Sequence, residues 1–126
     1  MKELWTQNAR IEFDESENLL KIKINEDVRI DSPQANELFL KSREVIDIER
    51  PLLLVDLNNK FVITKSALAV VPRWLTSHKA IAVIPDSKLI TFMIKWIFAF
   101  RQKNSHLKVF ATEQDAVNWL KDFKSE

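Results

Sequence analysis

Asp56, Thr64, Lys65 and Ser66 are the residues of this 126-residue chain whose types and spacing best suit chemistry. Asp56 stands near the end of the apolar run Leu52–Leu57 (L-L-L-V-D-L), and the other three open the helical pattern that follows. In a parallel sheet, ligands gather beyond the carboxyl ends of the strands, where this loop is expected. A helix N-terminus there offers free N–H groups and a partial positive charge, so a phosphate on Ser66 or Thr64 would be stabilised. The loop is therefore a candidate phospho-acceptor or ligand-binding loop. A plainer account of the same types is structural, with Thr64 as an N-cap and Ser66 as a first-turn residue.

Other chemistries lack their parts. General acid catalysis needs a buried or coupled carboxylate, and Asp56 alone fits, since Asp14, Glu15, Glu17, Glu26 and Asp27 fall in turns. His78 follows a helix end and His106 precedes a strand, and neither has a ligand partner at metal spacing. A histidine at a helix C-terminus is favourable with the dipole without any further role. Cysteine is absent, which removes disulfides and thiolate chemistry and suits a reducing cytoplasm. Glycine is also absent, where average usage would supply about nine, so every glycine-dependent phosphate cradle is excluded. No enzyme activity, cofactor or metal is expected.

Charge narrows the partners. Net charge is +1 with both signs scattered, so no basic face for nucleic acid is built. The start M-K-E-L-W-T-Q-N lacks an apolar signal core, and Leu89–Phe100 is too short and carries Lys95, so no integral membrane segment is expected.

Residues 10–14 and 19–25 alternate apolar and polar and read as an N-terminal hairpin with one wet face, turning at Asp14–Asn18. Ser32 is expected to cap the first helix with Pro33 at its first position, and Ala35, Leu38, Phe39, Val45 and Ile46 recur on its inner face. Leu52–Leu57, Ala80–Ile84 and Leu107–Phe110 read as buried strands, each followed by a helical pattern. Pro72 should break the second pattern into a short turn at Lys65–Val71 and a fresh start. Asp86 or Ser87 can cap the third helix. Thr112 caps the fourth, whose inner face is Ala116, Val117, Trp119, Leu120 and Phe123. Turns needing positive φ are expected at Asn18, Asn25, Asn58, Asn59 and Asn104. Trp5 lies in the tail. The result is a single α/β domain over 1–126, core 9–123, ordered β-β-α-β-α-β-α-β-α with a mostly parallel sheet.

The third helix is too apolar for one buried face. Ideal spacing puts Leu89, Met93, Trp96, Ile97 and Phe100 on that face and leaves Phe92, Ile94 and Phe98 on its flanks. A second copy of the chain is the expected cover, so Phe92, Ile94, Phe98 and Trp74 are candidate interface residues of a homodimer.

With these elements in place, the chain resembles the STAS superfamily, and within it the SpoIIAA-like (anti-sigma-factor-antagonist-like) branch of small uncharacterised bacterial proteins. The resemblance rests on the element order, on L-L-L-V-D-L followed by N-N-K-F-V-I-T-K-S-A-L, and on the ending V-F-A-T-E-Q-D-A-V-N-W-L, across Ala9 to Phe123. It implies a SpoIIAA-like fold with helices packed on the sheet. In family members that act as phospho-switches, a strand ends in Asp and a helix opens with Asp-Ser-Ser-Gly, whose second serine accepts phosphate. Asp56 matches the strand-terminal Asp and Ser66 the acceptor. Thr64, Lys65 and Ala67 replace the other three residues of that motif.

Two functions follow as expectations, ahead of an enzyme. The first is a non-enzymatic regulatory or protein-interaction module with a regulatory protein partner, as the resemblance implies. The second is a carrier of an apolar, lipid-like ligand in a pocket of the Sec14 kind, to which this family's fold is compared. The assembly has its own test. Phe98→Glu combined with Ile94→Lys should give a folded monomer by light scattering and circular dichroism. Unfolding would instead mean that those side chains face the core, where each change buries an unpaired charge.

Overall fold

The computed structural model describes residues 2–46, 48–85 and 106–123. The alternating segments form β2 (Ala9–Asp14) and β3 (Leu19–Ile24), paired antiparallel from Ala9 opposite Ile24 to Asp14 opposite Leu19. Asn18 closes the turn at φ 52°, and the Asp14 carboxylate accepts from the Ser16 amide at 3.1 Å and its hydroxyl at 2.7 Å. The segment read as a tail is a strand. β1 (Lys2–Trp5) pairs antiparallel with β2, Trp5 opposite Arg10. Four residues are too few to display a period, so the sequence pattern could not reveal it.

The apolar runs become β5 (Leu52–Leu57), β7 (Ala80–Pro85) and β8 (Leu107–Val109), parallel to one another and to β3. Among the described residues they complete a six-stranded sheet of order β1-β2-β3-β5-β7-β8. A second, two-stranded parallel ladder joins β4 (Arg29–Ile30) to β6 (Val62–Ile63).

Helix α1 (Ser32–Val45) is capped by Asp31, not Ser32. Gln34 stands three residues after Asp31, and its Oε1 accepts the Asp31 amide at 3.0 Å, an arrangement a Ser32 cap could not reach. The second helical pattern splits as anticipated, into a 3₁₀ helix at Lys65–Val70 and α2 (Val71–Ser77), with Pro72 in the first turn, where its missing N–H is harmless. Thr112 caps α3 (Glu113–Lys121), its Oγ1 accepting from the Asp115 amide at 3.2 Å. The third helical pattern, with Asp86, Ser87 and Leu89–Arg101, lies outside the described residues.

Two apolar layers sandwich the sheet. On one face Ile11, Phe13, Leu20, Leu53 and Ile81 pack with Ala35, Leu38 and Phe39 of α1 and Ala67 and Val70 of the 3₁₀ helix. On the other, Leu19, Leu52, Leu54, Ala80, Ala82 and Ile84 pack with Ala116 and Leu120 of α3, flanked by Trp119 and Phe123. The small Ala80 and Ala82 let α3 approach the sheet closely.

Positive φ falls at Asn18 and at Asp27 (φ 59°), not at Asn25, Asn58 or Asn59, while Asn104 lies outside the described residues. Asn25 and Asn59 tie segments together instead, and Asn58 closes a local turn on Asp56. Asn25 Nδ2 donates to the carbonyl of Gln7 at 3.0 Å, Asn59 Nδ2 to that of Ile24 at 2.9 Å, and the Asn58 amide to the Asp56 carboxylate at 2.9 Å.

Leu54 is 1% exposed between sheet and α3. Leu54→Ala should lower stability by about 2–5 kcal/mol, read from urea unfolding as a lower midpoint with unchanged slope.

Candidate functional site

The β4–β6 ladder builds the site. Amide–carbonyl bonds run from Asp27 to Lys60 (2.7 Å), from Val62 to Val28 (2.9 Å) and from Thr64 to Ile30 (3.1 Å). They zip 27–31 to 60–64 and set Thr64 beside Asp31, the cap of α1. Thr64 Oγ1 and Ser66 Oγ lie 2.9 Å apart, and the Ala67 amide donates to the Thr64 carbonyl at 3.1 Å to open the 3₁₀ helix. Arg29 Nε donates to Asp31 Oδ2 at 3.0 Å. Hydrogen bonds from Arg29 first, and from Thr64, hold the Asp31 carboxyl below its ordinary value. Arg29, Lys65 and Ser66 are exposed, and the Arg29 guanidinium, the Asp31 carboxylate and two hydroxyls meet at a solvent-facing edge.

Asp56 does not join this cluster. Residues alternate faces along a strand, and Asp56 shares the face of Leu54. Its carboxylate lies 3.7 Å from Lys23 Nζ and lines a polar groove of about 390 Å³ with Arg10, Glu12, Lys21, Lys23 and Glu113. The neighbouring Val55 and Leu57 turn to the opposite face, where the 3₁₀ helix packs. The Lys23–Asp56 pair is half in solvent and worth little to stability.

On that opposite face lies a cavity of about 170 Å³ with an apolar lining that includes Ile24, Val55, Leu57, Ile63, Ala67 and Trp74. Trp74 is half-buried. It meets Phe39 edge-on at 5.1 Å and stacks on His78 at 5.2 Å with ring planes 18° apart. The other candidate interface residues, Phe92, Ile94 and Phe98, lie outside the described residues.

His78 is 1% exposed. Its Nδ1 lies 2.8 Å from the Trp74 carbonyl, which can only accept, so the proton sits on Nδ1. Nε2 is buried without a partner. Burial above all, then the Arg43 and Arg50 guanidiniums, push its pKa down to about 4, against the opposing Trp74 hydrogen bond. The sequence suggests a helix end favouring a charged imidazole. The structure instead buries a neutral ring that caps the helix by hydrogen bonding. His106 is exposed, its ring 4.7 Å from that of Phe123.

Sequence reasoning missed Arg29 and Asp31 as members of the hydroxyl cluster, because a two-residue bridge such as R-I against V-I carries no periodic signal. The Trp74–His78 stack had a visible signal in its i, i+4 spacing on a helix.

Residues 13–124 match the family described as a domain of unknown function, DUF7793. No curated protein matches the sequence. Among solved structures, the chain is similar to an uncharacterised protein of the DUF3478 family with a SpoIIAA-like fold from Shewanella loihica PV-4. The two are 18% identical with a TM-score of 0.61, and the match covers 89% of this chain and 91% of that one. At that identity the likeness bears on the fold alone, and it agrees with the fold expected from the sequence.

The Asp31 carboxyl should titrate below 3.8 in a ¹³C NMR pH series. Arg29→Met should move it up toward that value, and Thr64→Val should do so by less, since Arg29 is the larger influence.

Proposed function

The chain belongs to the DUF7793 family and carries a SpoIIAA-like fold, and we propose that it is a non-enzymatic regulatory module that works by protein–protein contact. The Thr64–Ser66 loop is its modifiable contact point. One observation carries this reading: the exposed Ser66 hydroxyl is linked through Thr64 to Asp31, the cap of α1. A phosphate on Ser66 would add nearly two negative charges. It would displace the 2.9 Å hydroxyl contact, repel the Asp31 carboxylate and draw Arg29 from it. The loop and the start of α1 would then present a different charge pattern to a partner such as a kinase or an anti-sigma-like factor. The homodimer through Phe92, Ile94 and Phe98 belongs to the same proposal and rests on the apolar sequence of that segment. The absence of cysteine favours the cytoplasm. Among the described residues no helix is long and apolar enough to cross a membrane.

Peptide mass spectrometry of the protein isolated from its native cell should find phosphate on Ser66 in some growth states, and Ser66→Ala should remove it. Ser66→Glu should lose or gain a partner in a pull-down relative to the unmodified chain. Unmodified peptides in every state, with identical partners for both variants, would sink this reading.

A second reading, an apolar-ligand carrier, is favoured by the cavity under α1. Its volume of about 170 Å³ falls short of the ~300–1,000 Å³ of ordinary ligand sites and is near the ~150 Å³ that holds benzene. It suits a six-membered ring or the end of an acyl chain, not a whole lipid. Native mass spectrometry after gentle purification should then show a small retained apolar adduct, lost in Ala67→Phe. A mass equal to the bare chain or its dimer would dismiss the carrier.

A further inference from the structure

We infer that the His78–Trp74 stack is an acid-sensitive latch on the wall of the apolar cavity: a proton on His78 drives the ring from its slot, and Trp74, released, opens the cavity to apolar molecules. The inference is independent of the Thr64–Ser66 reading. Trp74 and His78 lie one helical turn apart, across the end of α2, with centroids 5.2 Å apart. The Trp74 carbonyl, one of the last in α2, accepts a hydrogen bond from His78 Nδ1 at 2.8 Å. Trp74 in turn bears edge-on against Phe39 of α1 and lines the cavity. His78 thus backs the side chain that forms part of the cavity wall.

The slot favours the neutral ring. Nε2 has no partner, so a second proton there would point at no acceptor. Arg43 from α1 and Arg50 from the connection before β5 both act on the ring, and Lys79 follows it in sequence, just before β7. Arg50 Nη2 is fixed on the His78 carbonyl at 3.2 Å, and Arg43 Nη1 is itself buried without a partner. Among the described residues no carboxylate acts on the ring; Glu44 and Glu49 are exposed, and Glu49 offers Arg43 Nη2 only its backbone carbonyl, at 3.5 Å.

The direction in pH follows by linkage. The latched ring takes up a proton only near pH 4, whereas a released ring does so near the ordinary 6.5. Between those values the released state binds more protons, so it gains population as pH falls. The helix it frees has only seven residues, and short peripheral elements open at lower cost than the whole domain.

The test follows 1-anilinonaphthalene-8-sulfonate fluorescence and far-UV circular dichroism of the full chain as pH is lowered from about 7.5 to about 3.5. Dye fluorescence should rise between pH 6.5 and 4 while the helical signal persists. His78→Phe keeps a flat ring that cannot be protonated and should abolish the rise. Arg43→Gln removes one repelling charge, leaves the ring, and should move the rise to lower pH. An unchanged rise in His78→Phe, or a rise that coincides with loss of helix, overturns the latch. If His78→Phe fails to fold, the Arg43→Gln shift decides, and its absence counts against the proposal.

Discussion

Burial of β5 on both faces is the constraint on which the rest of this fold depends. Leu52, Leu53 and Leu54 are each almost wholly removed from solvent, and a fully buried leucine contributes about 1.5–3 kcal/mol. Their side chains alternate, so neither face of the strand can be left to water. One needs α1 with the 3₁₀ helix, the other needs α3, and β3 and β7 must flank it to satisfy its backbone. A strand buried this way sits mid-sheet, and its carboxyl end becomes the place where loops converge. Asp56 marks the point along β5 where the cover of α3 gives way to the polar groove.

The hairpin half of the sheet follows a different rule. It is packed on one face and wet on the other, and the wet face carries Arg10, Glu12, Lys21 and Lys23. Arg10 bonds Glu3 at 2.9 Å and also pairs with Glu12, while its guanidinium sits 4.7 Å over the Trp5 ring. Such exposed pairs add little stability. Their effect is to keep this face soluble and to blunt the β1 edge, which bears Lys2 and Glu3. The charged residues of this face therefore belong to solvation, whereas among the described residues Asp31 at the β4–β6 ladder and His78 at the end of α2 are set apart by their partners or their burial.

Those two places share a feature. In each, a polar side chain answers to more than one element: Thr64 Oγ1 meets the Ile30 carbonyl and the Ser66 hydroxyl, and the His78 ring bonds the Trp74 carbonyl while the Arg43 and Arg50 charges oppose its protonation. A group held from two elements transmits a change of charge to both. This is the physical basis for reading the hydroxyl loop as a modification point and the imidazole as a latch.

Particular residues show how far the sequence carried. The alternation of A-R-I-E-F-D, the solid apolar runs at Leu52 and Ala80, the Thr112 cap and the Pro72 break each announce their element, because local periodicity and capping chemistry act over a few residues. The fold class and the wet hairpin face were determined at that level. Asp31 displaced Ser32 as cap because a reciprocal partner at Gln34 outweighs two nearly equal cap preferences. β1, the β4–β6 ladder, the separation of Asp56 from Ser66 and the burial of a neutral His78 were decided only by tertiary structure. Each depends on which distant segments meet and on which face a strand residue turns, and pairings two residues long or a desolvated ring leave no periodic trace in the chain.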